Sequence, residues 1–440
     1  MSRYEGYNNI EDFWIREVPS HWDSFKAGNM FDERREKVSD KEFEPLSVTK
    51  KGILKQLGNV AKTNDGDNRK KVLVNDFVIN SRSDRKGSSG LSFFNGSVSL
   101  INIVLTLKIG NPKYMHYLLR STPFQEEFYR NGKGIVSDLW STNYQLMKNI
   151  MIPFPPIQEQ KQIADYLDWK INEIDKLISI EKEKIKETQL LKGKYIDGVI
   201  SGIKSNFISL KEVFEFGKGL SITKNNLGEK GVRCINYGEI HREFKFSFVS
   251  NDERLKGLEY DEGVSISNFC SLELGDFIFA DTSEDLDGCG NFTFLEKQCN
   301  DIYAGYHTIV AKRKINFNYR YMAYFFESEL WRRQIKEKVK GVKVYSITQS
   351  VLKSTKVQIP KYDVQIEIVK VLDSFMRKYK SLLEVCKNTV FELEALKQSL
   401  ISEVVTGQID VRNVVIPDYE KVDSGVDEEI EEGELLEYGD

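Results

Sequence analysis

At 440 residues, with 40% hydrophobic and 12% aromatic content, the chain exceeds what one core usually serves, so two or more domains are expected. No run approaches the ~18 apolar residues of a membrane span, and the N-terminus MSRYEGYNNIEDFW lacks the order of a secretory signal, so a soluble protein in the cytoplasm is expected. The net charge of −4 argues against nucleic-acid binding only until it is located: eleven acids and one lysine between Asp418 and Asp440 carry −10, which leaves +6 on residues 1–417.

In chain order, the pattern divides into a mixed domain (1–150), a long helix (151–204), a second mixed domain (205–358), a second long helix (359–412) and an acidic tail (413–440) expected to be disordered. The first mixed domain has short alternating runs, Val72–Val74, Phe77–Ile79 and Ile101–Leu105, between Gly, Asn, Asp and Ser clusters, followed by a helix over 113–130. Its loops SVTKKG (47–52) and SRSDRKGSSG (81–90) carry Lys50, Lys51, Ser81, Arg82, Arg85 and Lys86 among small residues that let a ligand approach the backbone. The second mixed domain repeats this texture, with a strand over 276–279, a helix over 319–340, and loops FADTSE (279–284) and AGYH (304–307). Its candidate contacts are Lys218, Lys224, Arg233, Asn236, Tyr237 and His307. Ammonium and guanidinium groups bond phosphate oxygens or the guanine edge, and Ser, Asn and Tyr serve backbone or bases, so these twelve residues form the candidate DNA-binding set.

The chain is an internal duplication. Shifted by 205 residues, Ser141 meets Ser346, Pro155 meets Pro360, Gln160 meets Gln365 and Leu167-Asp168 meets Leu372-Asp373, without a gap up to Gly202 and Gly407. Upstream the offset is 207 (Tyr114-Met115 over Tyr321-Met322) and then 200 (VNDFVINS over LGDFIFAD), so the fixed part is C-terminal in each half. That part has the 3-4 apolar spacing of a coiled-coil seam: Leu167, Ile171, Ile174, Ile178 and Ile185 in one copy, Leu372, Met376, Tyr379, Leu383, Val390 and Leu393 in the other. Lys192 and Lys397 share one seam position, and Tyr195 and Val199 continue the first seam. Each helix should begin after a proline and stop at Gly202 or Gly407. Connectivity makes the helices antiparallel, with 36 residues from Leu167 to Gly202 spanning on the order of 54 Å. The expected fold class is α+β: two mixed domains separated by an antiparallel pair of long coiled-coil helices, with pseudo-two-fold repetition.

Catalytic signatures are missing. There is no GxxxxGK[ST], EFGKG (215–219) lacks an NPP[YF] partner, and neither the histidines nor the five cysteines have zinc-ligand spacing, so no metal and no catalytic residue are expected.

The succession WIREVPSHWDSFK (14–26), IPFPPIQEQKQIADYLDWKINEIDKLI (152–178), GVISG (198–202), IPKYDVQIEIVKVLDSF (359–375) and VVTGQIDVR (404–412) resembles specificity subunits of Type I restriction-modification systems. The second copy departs from the pattern at Tyr362-Asp363-Val364-Gln365, where a proline and an acidic-Gln pair are usual. The resemblance implies that each mixed domain is a target recognition domain reading half of a bipartite double-stranded DNA site. It implies that the helices set the gap and dock two methyltransferase (M) subunits in a host-defence complex. S-adenosylmethionine would then belong to the methyltransferase, and ATP and Mg to a restriction/translocase (R) subunit, with no cofactor and no catalysis in this chain. The alternative is a stand-alone sequence-specific DNA-binding or scaffold protein on a duplicated coiled coil.

Overall fold

Both segments with seam spacing form single uninterrupted helices, Ile157–Ser201 and Tyr362–Val405, in the computed structural model, which describes residues 2–9, 14–56, 66–82, 86–132, 142–258, 267–341 and 344–421. Their limits follow from chemistry at the ends. Proline suits a helix start because its missing N–H would have no partner there; Pro156 O accepts from Gln160 N at 2.9 Å as the first turn closes. At the far end of the second helix Gly407 takes φ +76°, and Gly407 N and Gln408 N fold back onto Val404 O and Glu403 O.

The seam residues turn inward. Leu167, Ile171, Ile174, Ile178 and Leu372 are buried, and Ile185, Met376, Tyr379, Leu383, Val390 and Leu393 are half-buried. Beyond Lys192 the expected line fails: Tyr195 is exposed and stacks flat on Phe375 at 4.0 Å, while Ile196 and Ile200 fill the core. A straight helix of 3.6 residues per turn drifts off a 3.5-residue seam, so the buried line moves by one position.

The chain forms two compact units whose limits cut through both helices: Met1–Lys182 with Lys387–Asp440, and Glu183–Cys386. This differs from a division at residues 150, 204, 358 and 412. Composition marks where strands give way to helix, whereas compactness follows packing, so each unit takes one mixed domain and half of each helix. Within the first unit the helix halves run antiparallel, since Asp175 pairs with Lys397 while the later Lys182 pairs with the earlier Glu394.

In the first unit an antiparallel sheet runs in the order Ser89–Leu91, Phe77–Asn80, Asn102–Leu107, Phe31–Glu33. Alternation along its strands feeds two cores. Phe77 and Ile79 pack with Tyr114, Leu118, Phe124 and Leu167, whereas Val78 joins Leu46, Ile53 and Val98 on the opposite face. The second unit has a five-stranded sheet ordered Phe214–Lys218, Thr308–Arg313, Phe277–Ala280, Phe292–Lys297, Phe246–Val249, the last pair parallel. There Phe277 and Phe279 face Phe326 and Trp331, and Ile278 and Ala280 face the other core.

The helices expected over 113–130 and 319–340 are each broken into two: Pro112–Arg120 with Thr122–Arg130, and Tyr319–Glu327 with Glu329–Lys336. The break falls on Ser121 and Ser328, both fully buried with extended backbone. Each serine hydroxyl donates to the carbonyl three residues earlier, Leu118 O at 2.7 Å and Phe325 O at 2.6 Å, which competes with continuation of the helix.

Candidate nucleic-acid interface

One constellation occurs twice and fixes each mixed domain to its long helix. In the first unit Gln160 accepts from Asn111 N at 2.8 Å and donates to Pro155 O at 2.8 Å. In the second, Gln365 accepts from Asn318 N at 2.8 Å and donates to Pro360 O at 2.7 Å. Asn111 and Asn318 in turn cap the helices at Pro112 and Tyr319 through their side-chain oxygens. Two turns along the long helix, Asp168 accepts from Lys113 and from the Tyr117 hydroxyl, and Asp373 accepts from Arg320 and the Tyr324 hydroxyl. The sequence register paired Gln160 with Gln365 and Asp168 with Asp373 without revealing what either does. Their role is to bolt a domain at a fixed orientation to the helix within its own unit. Gln365 keeps that role despite the altered residues around it.

The shared seam lysines are half-buried and ion-paired, with different partners. Lys397 Nζ lies 2.6 Å from Asp175 on the facing helix, and Lys192 Nζ lies 2.7 Å from Glu327 on the mixed domain. Burial raises the Glu327 carboxyl, but Lys192 and Arg332 outweigh it and hold the pKa below the usual range.

Candidate contacts in the first unit gather at one corner. Lys50 and Lys51 are exposed at the tip of the hairpin Leu46–Thr49/Gly52–Lys55, whose glycine backs onto Gly90. Arg120, which loop composition did not flag, bonds Lys50 O, and Gln125 beside it meets Gly87. Arg82 is exposed, and Lys86 is paired with Glu126. Ser81 is buried and donates to Ile101 O, so its hydroxyl serves the domain. Arg85 lies outside the described residues.

In the second unit the loops at 279–284 and 304–307 meet. His307 Nδ1 lies 3.1 Å from Asp281, and His307 O accepts from Asp281 N. Tyr237, Tyr306 and His307 form a ring cluster with centroids 5.3–5.7 Å apart. His307 holds φ +54°, a left-handed backbone that costs a non-glycine residue about 1 kcal/mol or more. Lys218 ends the adjoining edge strand, where Gly219 N reaches Thr308 O, and Lys224 is exposed nearby in sequence. Two candidates are absorbed internally. Asn236 is buried as the cap of helix Tyr237–Arg242, and Arg233 donates to Leu255 O at 2.8 Å. The exposed remainder combines cations with stackable rings, which suits phosphate and base contact.

The 200-residue offset also has a structural content. Asp76 and Asp276 cap the same turn, accepting from Leu73 N and Glu273 N. Arg34 grips Asp76 with two bonds, but Lys312 stays 3.8 Å from Asp276, and burial pushes the Asp276 carboxyl up to about 6. A raised carboxylate pKa favours the protonated form in the fold, so the stability it contributes is complete below pH 3.8 and is lost as pH rises through about 6. Asp276→Asn should therefore gain stability relative to the parent by about 1 kcal/mol between pH 5 and pH 8. Urea melts at the two pH values check this; a difference independent of pH would contradict it.

Among the described residues no group of three His, Cys, Asp or Glu side chains could hold a metal, and no helix is long and apolar enough to cross a membrane.

Two mixed domains, each bolted by equivalent residues to a repeated long helix, define a duplicated recognition scaffold. Residues 203–389 match the family model of the Type I restriction modification DNA specificity domain. The chain is 24% identical over 373 residues, 78% of its length and 82% of the relative's, to the Type I restriction enzyme MjaVIII specificity subunit of Methanocaldococcus jannaschii. Its fold matches a solved chain from work on complex assembly and conformational transition of the type I R-M system, at a TM-score of 0.67 and 14% identity, covering 89% of this chain and 99% of that one. By this family match over residues 203–389 and this likeness over most of its length, the chain is similar to the specificity subunits of Type I restriction-modification systems.

Proposed function

We propose that each unit's mixed domain reads one half of a bipartite double-stranded DNA site while the helices set the unread gap and dock two methyltransferase subunits. The observation that carries this reading is the repeated bolt: two different domain surfaces are mounted on the same helix positions by the same contacts. Sequence-variable loops can then change what is read without changing how the reader is held.

Exposed apolar residues on the helices support docking of two like partners. Leu177 and Ile180 in the first unit correspond, 205 residues on, to Leu382 and Val385 in the second, and Leu396 of the first corresponds to Leu191 of the second. Apolar side chains of this size left in water at repeated positions favour burial against a repeated partner. The chain itself is non-catalytic in this reading and holds no cofactor. S-adenosylmethionine belongs to the methyltransferase subunits, and ATP and Mg to restriction/translocase subunits that join the assembly in the cytoplasm.

Adding one helical turn of four residues after Ser201 lengthens the spacer by about 6 Å. The expected result, read by methylome sequencing, is a gap longer by one or two base pairs between unchanged recognised blocks. Altered blocks with an unchanged gap would overturn the reading.

A further inference from the structure

The second unit contains an open groove of about 690 Å³ where the linker Gly202–Ser205 leaves the first long helix. Its apolar wall is built from Val199, Ile203, Ile359, Val364 and Ile368. The 205-residue register makes the same wall in the first unit from Val404, Glu159 and Ile163, and there it is closed. Val404 and Ile163 are fully buried and Glu159 is 6% exposed, whereas Val199 and Ile368 are half-buried and Val364 is 41% exposed.

The cover in the first unit is the chain's own N-terminal segment. The Tyr4 hydroxyl and Trp22 Nε1 donate to Glu159 at 2.7 and 2.9 Å, and His21 Nε2 lies 2.8 Å from its other oxygen. Pro19 and Trp22 lie so close over Gly407, the counterpart of Gly202, that a Cβ there would meet Pro19 at 2.4 Å. Ser2 O accepts from Asp410 N, the counterpart of Ser205. Among the described residues the second unit has no such segment. Its chain passes from helix to the strand Phe207–Ser209 through a short linker that Gln358 ties down by Ile203 O and Ser205 O.

We propose that this groove receives an extended segment of the methyltransferase partner, carrying an aromatic side chain and flanking acids, in the place that Tyr4, Pro19, His21 and Trp22 take in the first unit. The inference rests on the subunit reading above. The aromatic requirement comes from the occupied groove, which is filled by Tyr4 and Trp22. The acidic requirement comes from charge: the closed groove offers the Glu159 carboxylate to donors on its cover, but the open one has Val364 there and offers Lys204 and Lys361, with no carboxylate in its lining. The N-terminal segment of a second copy is a poor occupant for the same reason, since its Tyr4, His21 and Trp22 donors would find no acceptor.

The test places p-benzoyl-phenylalanine at Val364 in the full chain, reconstituted with its methyltransferase subunit, and maps the photocrosslink by mass spectrometry. A crosslink to one methyltransferase segment with an aromatic residue and acids within a few positions is expected. In parallel Val364→Glu, which copies the Glu159 arrangement, should weaken that complex at least 10-fold with an unchanged melting curve. Crosslinks to residues 2–22 of another copy, or a complex that forms with full affinity in Val364→Glu and without any crosslink, would overturn the proposal while leaving the subunit reading intact. Failure of the parent chain to bind the methyltransferase at all would overturn both.

Discussion

Glu159→Ala is expected to destabilise the first unit by about 3–4 kcal/mol, because it strips the acceptor from two buried donors at once. Tyr4 is 5% exposed and Trp22 5%, and both donate to the same oxygen of Glu159, so neither can turn to water when it is removed. Burial, reinforced by the bond to Glu159, pushes the Tyr4 hydroxyl well above the usual tyrosine pKa, which keeps it a donor at any physiological pH. Glu159→Gln keeps an acceptor and should lose about half as much. Val364→Ala, at the equivalent position in the second unit, removes an exposed side chain and should cost under about 0.5 kcal/mol. Hydrogen exchange followed by mass spectrometry separates the units: protection over residues 2–9, 14–22 and 405–414 should collapse in Glu159→Ala while the strands at 277–280 and 308–313 exchange as in the parent. An unchanged pattern at residues 2–9 and 14–22 would remove Glu159 from the role of latch.

What could be read from the sequence is what short-range rules determine. The two long helices were legible because 3-4 spacing along much of their length agrees with prolines at their starts and glycines at their ends. The repeat register found Gln160, Gln365, Asp168 and Asp373 because duplicated contacts keep duplicated residues. The latch was not legible: Glu159 stood out only as part of a motif, since its partners Tyr4, His21 and Trp22 are more than 130 positions away. Sheet order was hidden for the same reason, with Phe246–Val249 joining Phe292–Lys297 in parallel across a long excursion. Within the loops, composition could not tell which polar residues turn inward. Ser81 and Asn236 satisfy the domain's own backbone, while Arg120, outside any polar loop, joins the basic corner. Composition marks segments rather than compact units, because a continuous helix gives no local sign of where its packing partner changes.

If the helices dock two copies of one partner at repeated surfaces, the two sites can be removed one at a time. Leu177 and Leu382 are 50% and 51% exposed and occupy the same register position in different units, so an aspartate at either should leave the free chain's stability within about 0.5 kcal/mol. In the complex the same change loses about 2 kcal/mol of apolar burial and adds the cost of burying an unpaired carboxylate, together about 3–4 kcal/mol or two to three orders of magnitude in affinity. Leu177→Asp and Leu382→Asp alone are each expected to convert a complex with two methyltransferase subunits into one with a single subunit at micromolar concentrations, as read by native mass spectrometry. The double variant should bind none. Because the constellations on Asp168 and Asp373 are untouched, each recognition domain should still bind its half of the DNA site, separating docking from reading in the same molecule. A double variant that retained both partners would place the docking surface elsewhere, and a single variant that lost both would mean that the two sites are not independent, contrary to what their repetition at 205 residues implies.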